Sequence, residues 1–148
     1  MTIRLPKLDV IPSRVLVDSN IIFDVANDDP EWFDWSAGCL RMLKRSRLLT
    51  NPLILAEVSL LAENPEEVAD LVTRLGLQRM QLPWSASFMA SKAFLAYRRA
   101  GGSKTAPLPN FYIGAHAQVS GLTLLTRDVR CYQTYFPKAR LITPDTTT

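Results

Sequence analysis

The sequence predicts an α/β domain with a central, mostly parallel five-stranded sheet flanked by helices. Three observations carry that expectation. Five short runs rich in Val, Leu, Ile and Thr, at residues 14–17, 48–50, 77–82, 123–126 and 140–143, are strand-like and too short for helices. The segments between them show helical spacing of apolar residues, with capping residues in front and Gly or Pro behind. Strand and helix alternate, and right-handed crossovers then set successive strands parallel. A chain of 148 residues suits one such domain and is too short for two. Residues 14–148 are read as that domain, and residues 1–13 as an N-terminal extension before the first strand.

The elements follow in order. After the first run, Asp18-Ser19-Asn20 offers N-cap residues for a helix through Ile21, Ile22 and Phe23, which Asn27-Asp28-Asp29-Pro30 breaks. Residues 31–47 place Trp32, Trp35, Cys39, Leu40 and Leu43 at helical spacing. Asn51-Pro52 opens another helix carrying Leu53, Leu55, Glu57, Val58 and Leu61, with Pro where a missing N–H costs little. A further helix runs from Asn64-Pro65 to Leu75 and stops at Gly76. Residues 85–100 form a long Ala-rich helix ended by Gly101-Gly102. After a loop with two prolines, residues 110–120 form a helix whose Gly114, Ala115 and Ala117 imply close packing. Gly121 ends it, and Asp128 opens a last short helix.

Composition is that of a globular protein: 47% hydrophobic, 21% charged and a net charge of +3. This mild basicity suits a polyanionic substrate without establishing one. Cys39 and Cys131 are the only cysteines and form no Cys-x-x-Cys or Cys/His pattern, so neither a zinc site nor a disulfide framework is expected. No run approaches the ~20 apolar residues of a membrane span, and the first residues lack a signal-peptide core. A reduced, cytoplasmic setting is the expectation.

Asp18 and Asp128 lie directly beyond apolar strands, and Glu57 sits in a helix among Leu53, Leu55 and Val58. A carboxylate beside buried aliphatics loses hydration, and a second one nearby adds repulsion. Acids gathered from distant parts of a chain make sense if they share a hard divalent cation, which takes oxygen ligands and holds phosphate oxygens. Asp18 and Asp128 could instead be simple helix caps, and Glu57 part of a solvated face. Asp24 is expected to be a solvated helix residue. His116, the only histidine, falls about 240° round its helix from Asn110 and is read as structural. Trp32, Trp35 and Trp84 are expected in core or interface.

Four segments together resemble the PIN domain, most closely the VapC-type ribonuclease toxins of type II toxin–antitoxin pairs. They are Val17-Asp18-Ser19-Asn20, Ala56-Glu57-Val58, Pro109-Asn110-Phe111-Tyr112 continuing to Ala117, and Leu124-Leu125-Thr126-Arg127-Asp128. They come in the family's order. The resemblance implies a PIN-like fold, endonucleolytic cleavage of RNA, dependence on Mg²⁺ or Mn²⁺, a homodimer and inhibition by a cognate antitoxin. Asp18, Glu57 and Asp128 match the family's acidic metal-site residues. Ser19, Asn20 and Thr126 match polar positions beside them, and Lys104 and Arg127 are candidates for RNA phosphate contact. Asn110 stands where the family usually has an aspartate. It keeps the shape and one carbonyl oxygen but loses a charge. It is either a natural variant with altered metal binding or a deliberate silencing substitution, and the matching flanks favour the second.

The expected chemistry is metal-assisted phosphodiester hydrolysis, which needs no Ser, Cys or His nucleophile. The alternatives are an inactive PIN-fold binding module, supported by Asn110, and a haloacid-dehalogenase-like phosphatase. The phosphatase would need Asp-x-Asp where this chain has Asp18-Ser19-Asn20.

Overall fold

The computed structural model describes residues 3–101 and 108–144. Five strands, β1 (Arg14–Val17), β2 (Arg47–Thr50), β3 (Leu77–Arg79), β4 (Thr123–Leu125) and β5 (Arg140–Ile142), form one sheet in the order β3-β2-β1-β4-β5. Every pairing is parallel. Val17 pairs with Leu125, so β1 and β4 end side by side. The chain steps outward from β1 to β3, then returns to β4 on the other side of β1. That reversal opens a crevice at the carboxyl ends of β1 and β4. Val15, Leu16, Val17, Leu124 and Leu125 are fully buried, as expected of central parallel strands covered on both faces.

Seven helices surround the sheet among the described residues: α1 (Ser19–Ala26), α2 (Phe33–Met42), α3 (Pro52–Val58), α4 (Pro65–Arg74), α5 (Ser85–Arg99), α6 (Leu108–Val119) and α7 (Val129–Tyr135). Asn51 and Asn64 cap α3 and α4 by accepting from Ile54 N and Glu67 N, each at 2.9 Å, with Pro next in line. Gly121 ends the turn after α6 at φ 64, where a Cβ would be strained.

Helix lengths depart from expectation for local reasons. The helix expected from residue 31 starts at Phe33, because Asp29 Oδ1 accepts from Glu31 N and Trp32 N at 2.9 and 2.8 Å and holds a turn there. It ends at Met42, short of the expected 47. Beyond Val58, α3 tightens into a 3₁₀ turn, Ser59–Leu61. The helix expected from Asn110 begins at Leu108, with Pro109 in its first turn. The apolar face of α2 is not free for a partner: Trp35 is buried and donates from Nε1 to Arg4 O at 3.0 Å. The N-terminal extension is therefore docked on α2. Exposed apolar surface lies instead at Trp84 and Phe88, and at Leu60 beyond α3.

Phe94, Tyr97, Phe111, Tyr135 and Phe136 join α5, α6 and α7 in an aromatic cluster with ring centroids 5.3–6.3 Å apart. Gly114 is what lets α6 approach it. A Cβ there would stand 2.5 Å from the Phe136 ring, too close without displacing it. Gly114→Ala is expected to destabilise the protein by ~1–3 kcal/mol, read as a lower urea midpoint at unchanged m value.

His116 is fully buried, with Nδ1 2.9 Å from Asn51 Nδ2. The amide can only donate there, so Nδ1 accepts, and Nε2 is left buried without a partner. This is the structural role expected, and it has a pH consequence. Burial holds the imidazole pKa below its ordinary 6.5. The unfolded chain therefore takes up the proton first, so this contribution to stability is present above about pH 6.5 and lost on acidification. His116→Gln, which can still accept from Asn51, is expected to flatten the fall in urea midpoint between about pH 7 and 5.

Candidate metal centre

Asp18 leaves β1 still tied to the sheet, its N–H donating to Leu125 O at 2.9 Å. Its side chain turns into the crevice and is 4% exposed. Oδ1 accepts from Ser19 N at 2.8 Å, capping α1. Oδ2 accepts from Thr126 Oγ1 at 2.8 Å, from Tyr132 OH at 3.1 Å and, at a long 3.4 Å, from Asn20 Nδ2. Thr126 Oγ1 in turn accepts from Asp128 N at 3.0 Å and Asn20 Nδ2 at 3.2 Å, while Asn20 Oδ1 takes Arg127 N at 3.1 Å. Asn20 and Thr126 thus lace the β1–α1 turn to the β4–α7 turn.

The electrostatics are those of crowded, desolvated acids. Burial raises the Asp18 pKa most; its hydrogen bonds from Thr126, Ser19 N and Tyr132 oppose that, and the charge of Asp128 raises it further. Glu57, half-buried on α3, is raised by burial first and by the charge of Asp18 second, with the Ser19 side chain opposing. Glu57 Oε1 is buried without a hydrogen-bond partner. Tyr132 is held well above its ordinary value by burial, then by the charges of Asp18 and Asp128, so its hydroxyl stays a donor. Asp128 caps α7 weakly, accepting from Cys131 N at 3.5 Å.

Asp24 is not the solvated residue expected. It is 2% exposed and clamped by Arg127, Nε to Oδ2 at 2.7 Å and Nη2 to Oδ1 at 2.8 Å, with Ser36 Oγ donating to Oδ2 at 2.6 Å. The Arg127 guanidinium also lies 4.7 Å from the centroid of the Trp32 ring. The expected solvated role of Asp24 therefore does not hold. Arg127 is a strut fixing the turn before Asp128 to α1 and α2, and its charge is already matched by Asp24. Lys104 lies outside the described residues.

Asp18 therefore interacts with both Asp128 and Glu57, and Ser19, Asn20 and Thr126 surround it. Asn110 lies in the first turn of α6, half-buried. A preformed three-acid cage is absent: among the described residues no three His, Cys, Asp or Glu stand close enough to hold a metal ion. Asn110 removes one acid from the expected set, and mutual repulsion works against closing the others together. The residues nevertheless fit a hard divalent cation. The donors are all oxygen, the orphaned Glu57 Oε1 lacks a partner, and Arg127 beside Asp128 is already engaged. Tyr132 was missed in the sequence, although its position four residues after Asp128 on a helix was a usable signal.

The sequence matches the family model of the PIN domain over residues 15–137. A search of curated proteins found no match. Similar solved structures include VapBC2 from Rickettsia felis bound to a DNA fragment from their promoter, with 17% identity, 88% of this chain and 98% of that one covered, and a TM-score of 0.67. FitAcB from Neisseria gonorrhoeae matches at 19% identity, 88% and 97% coverage and a TM-score of 0.65. The sarcin-ricin loop cleaving toxin VapC20 from Mycobacterium tuberculosis matches at 14% identity, 85% and 98% coverage and a TM-score of 0.58. At these identities the likeness speaks for the fold.

Proposed function

The chain belongs to the PIN domain family, and on that premise we propose that it is a metal-dependent endoribonuclease acting as the toxin of a toxin–antitoxin pair. The observation that carries this reading is the buried, unpartnered Glu57 Oε1 on an acid that already feels the charge of Asp18. A buried carboxylate oxygen with no hydrogen-bond donor, beside a second acid, is a group that a bound cation would satisfy.

Asp18, Glu57 and Asp128, with the carbonyl oxygen of Asn110, would hold Mg²⁺ or Mn²⁺. Bound there, the cation supplies Lewis acidity toward water and neutralises charge on the phosphate. The protein's own groups do the positioning. Asp18 Oδ2 is occupied by Thr126, Tyr132 and Asn20, whereas Oδ1, with one donor at 2.8 Å, keeps a lone pair to offer. Thr126 and Asn20 set the distance between the Asp18 and Asp128 turns. The Arg127–Asp24 pair fixes the second turn against α1.

The partners proposed are an RNA substrate, a cognate antitoxin and a second copy of the chain, with exposed Trp84 and Phe88 as apolar surface for protein contacts. Proteins of similar fold were crystallised as VapBC complexes, two of them bound to DNA. A cytoplasmic setting is proposed; among the described residues no helix is long and apolar enough to cross a membrane. Asn110 favours one second reading, a PIN fold that binds without cutting. A Mn²⁺ titration followed by thermal unfolding and by cleavage of a structured RNA separates them. A rise in melting temperature with Mn²⁺-dependent cutting supports the nuclease; neither effect supports the binding module.

A further inference from the structure

A cleft of about 350 Å³ opens at the carboxyl ends of β2 and β3. Its floor is Thr50, one wall is Leu55 and Ala56 of α3 with Ser59 of the 3₁₀ turn that follows, and the other is Arg79, Met80 and Gln81. Thr50 is fully buried and its hydroxyl has no hydrogen-bond partner. Its carbonyl accepts from Met80 N at 2.9 Å, which holds the two walls together. No acid lines the cleft, and Arg79 stands exposed at its edge.

The sheet is all parallel, so this cleft shares one edge with Asp18 and Asp128. Strand β2 is the direct neighbour of β1, about 4.8 Å away. Helix α3 stands between the two sites and serves both. Pro52, Leu55, Ala56 and Ser59 share one face toward the cleft, and Glu57 falls about 100° round from Ala56.

We propose that the cleft is a subsite for an unpaired nucleobase of the RNA, flanking the phosphate held at the acidic centre. The proposal rests on the nuclease reading for the word flanking; the binding of a base does not need catalysis. Leu55, Pro52 and Met80 offer an apolar slot for a flat base. The Gln81 amide, exposed on the cleft wall, meets its hydrogen-bonding edge. Arg79 supplies either a planar stacking partner or a contact to the adjoining phosphate. A base locked in a duplex cannot enter, so the cleft selects unpaired RNA and biases which residue lies beside the cut.

The test uses the full chain, 8-mers of rA, rC, rG and rU, a duplex control and two variants. Ala56→Trp fills the slot from an exposed helix position, and Arg79→Gln removes the edge cation; thermal unfolding confirms that each is folded. Affinity for the preferred 8-mer, measured by anisotropy in EDTA, is expected to fall roughly 10-fold in Ala56→Trp, the size of one lost base contact. 4-Thiouridine crosslinks are expected within residues 50–59 or 79–81, and cut sites mapped in Mn²⁺ should lose base preference at one flanking position. Crosslinks in the cleft without any cutting would uphold the subsite while removing the nuclease reading. Unchanged affinity in folded Ala56→Trp, or crosslinks elsewhere, overturns the subsite. Loss of binding to the product of the neighbouring open reading frame, at unchanged RNA affinity, also overturns it and assigns the slot to a protein side chain.

Discussion

Asp18→Asn is expected to lower Mn²⁺-dependent RNA cleavage by at least ~100-fold, roughly 2.7 kcal/mol in the barrier, while raising the melting temperature of the metal-free protein. The two effects share one cause. Burial and the neighbouring Asp128 charge raise the Asp18 pKa above its ordinary 3.8, and Glu57 is raised above 4.5 by burial and by Asp18. A folded state with raised carboxyl pKa values binds protons more tightly than the unfolded chain. Its stability therefore falls as pH rises from the ordinary carboxylate range through the raised values. Above that window the metal-free fold carries the full cost of the charges, and the amide removes part of it. Asparagine also retains an oxygen to cap α1 at Ser19 N, so the variant keeps the helix start that alanine would lose, and its amide nitrogen donates to the Tyr132 hydroxyl that donates to Asp18 Oδ2 in the parent.

The expected gain in EDTA at pH 7 is a few degrees, since ~1 kcal/mol moves the melting temperature by roughly 2–8 °C in domains of this size class. Mn²⁺ should raise the melting temperature of the parent by mass action and leave Asp18→Asn nearly unmoved. The discriminating result is a variant that melts below the parent in EDTA while neither protein responds to Mn²⁺. Asp18 would then be an ordinary helix cap, and the acidic crevice would have no cation to hold.

How legible all this was depended on how local each cause is. The strand ends at Val17 and Leu125 were readable because buried parallel strands are nearly continuous apolar runs, and their adjacency followed from the switch in chain direction that such sheets make. Asn51-Pro52 and Asn64-Pro65 announced their helices because a cap acts within one turn. The fate of Asp24 was not readable. Its partner Arg127 lies 103 positions away, and a single acid on a helix looks solvated until the fold supplies the cation. The same limit applied to Arg127, which by type and position resembled a phosphate contact. The late start of α2 was written locally, in Asp29 and its two backbone donors, but the helical apolar spacing that already includes Trp32 masked it.

Asn110→Asp is expected to raise Mn²⁺-dependent cleavage by at least ~10-fold, about 1.4 kcal/mol in the barrier. Asn110 is the third residue of α6, half-buried in its first turn. A carboxylate there gains from the N-terminal end of the helix dipole, so the position suits an acid. Cation affinity rises with ligand charge, and the added charge supplies what the present amide lacks. The same charge adds repulsion to the already raised Asp18 and Glu57, so the metal-free protein should melt lower and respond more strongly to Mn²⁺. Stability and activity of the Asp form should therefore move in opposite directions: less stable in EDTA, more active with the ion. The measurement is initial cleavage rate against Mn²⁺ concentration for both forms, with Asp18→Asn as the blank and melting curves in EDTA alongside. A lower half-saturating Mn²⁺ at equal maximal rate would place the lost charge in metal affinity alone. A higher maximal rate at saturating Mn²⁺ would place it in the reaction itself. Equal curves would mean that the asparagine carbonyl already serves as a full ligand, and silencing would no longer explain the residue. If neither form exceeds the blank, the chain is a binding module, and the crowded acids around Asp18 hold something other than a catalytic cation.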